Sequence, residues 1–74
     1  MVKYFDAYKN GFLAGEVDAE LGNTEGANFS APPPEVNPDA WYEAQLWGYQ
    51  DGLEGNEMRT ERCVIMHLDN EYSI

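Results

Sequence analysis

The stretch Tyr4 to Gly15, YFDAYKNGFLAG, reappears in altered form as WYEAQLWGYQDG from Trp41 to Gly52, at an offset of 37 residues. Aromatic falls on aromatic at the first two positions, acid on acid at the third, Ala7 on Ala44, Gly11 on Gly48, Phe12 on Tyr49 and Gly15 on Gly52. The apolar residues Tyr4, Tyr8 and Phe12 recur at helical spacing rather than in strand alternation. Glycine inside a helix costs about 1 kcal/mol relative to alanine, so glycines kept at matching places point to a use. Ala7, Gly11 and Gly15 make a smooth stripe on one helix. Ala40, Ala44, Gly48 and Gly52 make the matching stripe on the other. Two such stripes let helix backbones approach closely while the flanking aromatics pack over the partner. The expectation is a mainly α protein built on a two-helix hairpin with pseudo-two-fold character.

The boundaries follow from local signals. The first helix is expected over about 2–21, stopped by Gly22-Asn23, since glycine takes the left-handed conformation cheaply. A linker over about 22–37 carries Gly26, Ser30 and Pro32-Pro33-Pro34. Three prolines favour polyproline II and exclude helix, so a stiff connection should carry the chain back across the first helix. Asn37-Pro38 opens the second helix as N-cap and first helical residue. Asp39 in the first turn favours the helix dipole. That helix runs over about 38–54 and stops at Gly55-Asn56. The segment 57–74 holds a nearly continuous apolar run, Cys63 to Leu68. Met58, Ile65 and Leu68 suit a third helix, whereas Val64-Ile65 in a short run equally suits a strand.

A chain of 74 residues allows one small domain, 1–74, which is marginal unless something helps it. Cys63 is the only cysteine, so neither an internal disulfide nor a thiol-rich metal site is expected. A homodimer, or docking on a partner, is the remaining source of extra burial. No basic start precedes an apolar run and no stretch is long and apolar enough to span a bilayer. A cytoplasmic location fits both features and the lone thiol.

Charge is the second strong constraint. The formal net charge is -10, from 14 acids against four Lys and Arg. From Asn10 to Met58 there is no Lys, Arg or His. That stretch holds Glu16, Asp18, Glu20, Glu25, Glu35, Asp39, Glu43, Asp51, Glu54 and Glu57. Such a block repels nucleic acid and anionic membrane and attracts a basic surface.

Patterns that would carry chemistry are weak. Glu16-x-Asp18-x-Glu20 alternates like a calcium loop, but the EF-hand pattern needs glycine sixth and an acid twelfth. Leu21 and Ala27 stand there, so a solvated helix face is the better reading. Asp69-x-Glu71-x-Ser73 also alternates but is followed by only one residue. A glycine-rich phosphate cradle lies in a loop before a helix and wants a nearby lysine; these glycines lie within helices. His67, the sole histidine, has no second histidine for a metal pair and no nucleophile arrangement. Cys63 beside Val64-Ile65 reads as a small buried apolar residue. A non-enzyme without metal or cofactor is expected.

The residues Ala7-x-x-x-Gly11-Phe12-x-Ala14-Gly15, a proline-containing connection and Trp47-Gly48-Tyr49 together resemble the ribosome modulation factor family. The likeness covers roughly Ala7 to Gly52. It implies a two-helix hairpin with a connecting segment. That family is strongly basic and binds ribosomal RNA. This chain has no base between Asn10 and Met58, so its surface is reversed in sign and direct RNA binding is not implied.

The leading functional expectation is nucleic-acid mimicry. Carboxylates four apart on a helix rise about 6 Å along the axis, near the spacing of successive phosphates. Glu16/Glu20 and Asp39/Glu43 are such pairs, and Asp51/Glu54 adds a spacing of three. Like-charge pairs at these spacings weaken a helix, so keeping them without intervening lysines suggests a use. The expected contact residues are Glu16, Asp18, Glu20, Glu35, Asp39, Glu43, Asp51, Glu54 and Glu57. The expected partner is the basic surface of a nucleic-acid-binding protein, with no nucleic acid or membrane bound directly. In composition the chain is similar to acidic inhibitors that phages deploy against host DNA-handling enzymes such as gyrase, restriction enzymes and CRISPR effectors. The alternative is a protein-interaction or assembly module, or a ribosome-associated factor, in which the charge serves solubility.

Overall fold

The computed structural model describes residues 4–22 and 30–74 and contains three helices: α1 (Tyr4–Leu21), α2 (Pro38–Glu54) and α3 (Glu61–Tyr72). The readings placed on Val2, Asn23, Glu25, Gly26 and Ala27 lie outside the described residues. The expected stop at Gly22 is present as a left-handed residue, φ 78°. Asn37 caps α2 as expected: its Oδ1 accepts from the Asp39 and Ala40 amides at 2.9 and 3.4 Å. Gly55 ends the helix in the left-handed region, φ 77°. The Gly55 amide donates to the Gly52 carbonyl, and the Asn56 amide to that of Asp51.

The two small-residue stripes face each other. Ala7, Gly11 and Gly15 of α1 and Ala40, Ala44, Gly48 and Gly52 of α2 are all buried. A Cβ added to Gly11 would stand 1.9 Å from the Gln45 carbonyl oxygen, and one added to Gly48 would stand 2.0 Å from that of Tyr8. One more turn along, a Cβ added to Gly15 would stand 2.2 Å from the Tyr49 carbonyl oxygen, and one added to Gly52 would stand 2.1 Å from that of Phe12. Tyr8 and Gln45 are equivalent under the sequence offset, as are Phe12 and Tyr49. The repeat is therefore a contact symmetry, in which each helix offers its glycines to the other's backbone.

The order of these contacts fixes the direction of packing. Moving from Gly11 to Gly15 shifts the facing residues from Gln45 and Tyr49 forward to Tyr49 and Leu53. The numbers rise together, so α1 and α2 run parallel, whereas the arms of a hairpin run opposite. The Asn37 amide, at the start of α2, donates to Tyr4 Oη at the start of α1, 2.8 Å away. The linker's two ends therefore lie at opposite ends of α1, which is about 27 Å long for 18 residues. Its returning end is held at Ser30. The Ser30 amide donates to Gln45 Oε1 at 2.8 Å, while Gln45 Nε2 and Trp41 Nε1 both donate to the Ser30 carbonyl. A turn at Pro33–Val36 then leads into Asn37.

The segment that sequence left between helix and strand is helix. Thr60 caps α3 by accepting from the Cys63 amide at 3.2 Å. Val64 and Leu68, four apart, are its fully buried residues and join Tyr4, Tyr8, Phe12, Trp41 and the stripe alanines in the core. Ile65 and Tyr72 flank that contact. Two expectations are corrected here. Met58 lies outside the helix and is exposed, and Cys63 is exposed rather than buried. Once Thr60 sets the start, Val64 and Leu68 define the inner face and Cys63 falls off it.

Candidate functional site

Parallel packing brings the C-terminal ends of α1 and α2 to one pole of the molecule. Neither helix has a basic residue in its last turn. Each helix end carries about half a negative charge from its aligned peptide dipoles, and here two such ends lie together. Exposed Glu16 and Glu20 of α1 and Glu54 of α2 add to that field, with exposed Glu57 in the following segment. Acids at this end of a helix oppose its dipole, so the arrangement costs folding stability and favours any cationic surface that docks on it.

The remaining expected contact residues are distributed differently. Glu35 and Asp39 are exposed but lie near the start of α2, at the other end of the pair. Asp18 is half-buried and accepts from Tyr49 Oη at 2.8 Å. Glu43 is half-buried and engaged with α3, as described below. Asp51 is a correction: it is a buried structural acid, only 4% exposed, and not part of the surface field. Tyr8 Oη donates to Asp51 Oδ2 at 2.6 Å, Arg59 Nε donates to the same oxygen at 3.2 Å, and Asn56 Nδ2 donates to Oδ1 at 3.2 Å. Burial alone would raise the Asp51 pKa, but the hydrogen bonds from Tyr8, Asn56 and Arg59 outweigh it and hold the carboxyl below its ordinary value. The same contact, after burial itself, pushes the Tyr8 hydroxyl up to about 12. Tyr8 Oη also accepts from the Arg59 amide at 3.0 Å. The result is a latch in which α1, α2 and the approach to α3 meet at one buried carboxylate.

Trp47 bridges this latch and α3. Its ring meets Tyr8 edge-on at 5.5 Å, takes the Arg59 guanidinium over its face at 4.8 Å, and lies 4.8 Å from the His67 ring. His67 Nε2 stands 2.9 Å from Glu43 Oε2 and 3.8 Å from Glu71 Oε1. Tyr72 Oη donates to Glu43 Oε1 at 2.6 Å. That hydrogen bond is the main reason the Glu43 carboxyl sits below its ordinary pKa. It also pushes the Tyr72 hydroxyl up to about 12. Glu71, facing Glu43, is raised. Sequence alone hides this cluster, because the partners of His67 stand 24 residues before it and four after it.

An apolar ridge was also missed. Leu13, Val17 and Leu21, spaced by four along α1, are 56, 53 and 69% exposed and run beside Glu16 and Glu20. Tyr42 and Leu46 are exposed on α2. Among the described residues no helix is long and apolar enough to cross a membrane. Compared with known family models, curated proteins and solved structures, the chain matches none.

Proposed function

We propose that the chain is an acidic binding protein that docks its pole, the joined C-terminal ends of α1 and α2, onto the basic nucleic-acid-binding surface of a DNA-handling protein and blocks it. The observation that carries this reading is the parallel pairing, which adds two helix-end dipoles to Glu16, Glu20 and Glu54 with no base in either last turn. Glu16 and Glu20 supply a phosphate-like spacing on one exposed edge. A basic channel built for DNA gains from this field what it gains from phosphate, including its dependence on salt.

The test is affinity capture from a bacterial lysate, followed by competition with duplex DNA at two salt concentrations. Raising salt from about 50 to 200 mM should weaken binding by orders of magnitude, as it does for DNA. The triple variant Glu16→Lys, Glu20→Lys, Glu54→Lys should fold, since all three side chains are exposed, and should lose the partner. Binding that survives both salt and reversal would refute the mimic.

The ridge Leu13-Val17-Leu21 favours a second reading, a protein-interaction module in which apolar contact dominates and the flanking acids select a basic rim. In that case Leu13→Ser with Val17→Ser abolishes binding while duplex DNA fails to compete.

A further inference from the structure

The cluster of Glu43, His67 and Glu71 has a composition that an ordinary surface ion pair does not need. Two carboxylates from different helices converge on a single imidazole nitrogen, Nε2, at 2.9 and 3.8 Å. Nε2 carries at most one hydrogen, so the three groups hold more lone pairs than protons to share between them. One donor atom from each lies within 4.8 Å of the others. His67 and Glu71 are four apart on α3, the spacing that puts two ligands on one helix face. Glu43 reaches them from α2. Two of the three ligands are also oriented from behind. Tyr72 Oη takes Glu43 Oε1 and leaves Oε2 aimed at the imidazole, while Trp47 packs against the His67 ring. Outer contacts of this kind orient first ligands in metal sites.

We propose that Glu43, His67 and Glu71 bind a divalent transition-metal ion that clamps α3 to α2. An imidazole with two carboxylates suits zinc and its first-row neighbours better than magnesium or calcium, which prefer all-oxygen sets. Three protein ligands leave a fourth position for water. The clamp acts where the fold is thinnest, because α3 buries fully only Val64 and Leu68. It does not create the α1–α2 pair, whose glycine seam is independent of it. The carboxylate pair becomes an asset on binding: two neighbouring negative charges that repel one another are drawn to a common cation.

The experiment is calorimetric titration of the full chain with zinc chloride, read in parallel by tryptophan fluorescence and by hydrogen exchange of α3 amides. One ion per chain should bind, with slowed exchange in α3 and little change in total helix signal. Glu71→Gln, an exposed and nearly isosteric change, should weaken binding at least about tenfold, as should His67→Ala. Tyr72→Phe, which keeps the ring and removes only the hydroxyl behind Glu43, should cost about tenfold. Cys63→Ser should leave affinity unchanged, which separates this site from capture by the exposed thiol. Excess magnesium should not compete. The proposal is overturned by absence of saturable binding, by full affinity in Glu71→Gln or His67→Ala, or by loss of binding in Cys63→Ser. Circular dichroism of every variant establishes that it is folded.

Discussion

Replacing Gly48 with alanine sets two physical effects against each other, and their sum has a definite sign. Helix propensity alone favours alanine by about 1 kcal/mol. Against this, the new Cβ would stand 2.0 Å from the Tyr8 carbonyl oxygen and 2.9 Å from the Phe12 amide nitrogen. Ordinary contact begins near 3.4 Å, so the helices must separate by roughly 1 Å or more along the seam. A gap of that size forfeits a quarter to a half of each contact's dispersion energy. The obstacle is backbone, which cannot rotate away as a side-chain tip can. Overpacking costs typically run at about 1–3 kcal/mol, and this case belongs at the upper end, leaving a net loss of about 2 kcal/mol. For a domain of this size that lowers Tm by roughly 8–16 °C. Gly11→Ala should match it, because its Cβ meets the Gln45 carbonyl at 1.9 Å. The double variant should lose less than the sum, since the first substitution already opens the seam for the second. Thermal melts of the three variants decide. A Tm that rises in either single variant, as propensity alone demands, would refute the close parallel seam.

Further outcomes follow from the latch and the caps. Tyr8→Phe removes a donor from buried Asp51 and an acceptor from the Arg59 amide, and should cost about 1–3 kcal/mol in denaturant unfolding. The Asp51 carboxyl is depressed in the folded state, so its stabilisation is present above the unfolded pKa of about 3.9 and disappears as pH falls through the lower folded value. The stability gap between wild type and Asp51→Asn should therefore shrink with acidification below about pH 4. Thr60→Ala removes the α3 cap, and should cost about 1 kcal/mol, with faster hydrogen exchange confined to α3.

The legible parts of this fold were those written locally. Asn37-Pro38, Gly22 and Gly55 announce helix ends through their own backbone chemistry, and the two stripes announce a pairing through spacing alone. The direction of that pairing was not legible from the stripes, because a smooth face accepts a partner in either sense. The linker length, sufficient to travel back along α1, was the available clue. Asp51 looked like one more surface acid because its partners, Tyr8 and Arg59, stand 43 and eight residues away. Glu43 and His67 concealed each other in the same way. The exposure of Cys63 is hidden in the sequence because a continuous apolar run shows no inner face until the Thr60 cap sets the phase.

The parallel register also governs how the chain finds its structure. In an antiparallel hairpin the first contacts near the turn join close neighbours, and each one shortens the search for the next. Here every glycine contact joins residues about 34 to 40 apart, so no contact in the seam is local and no short loop can close first. The whole closure entropy falls on the first encounter. After it the remaining contacts form at nearly no further chain cost. A helical protein of this size would ordinarily be counted among the fastest folders; this one should fold more slowly, as a single cooperative step whose barrier is the meeting of two preformed helices.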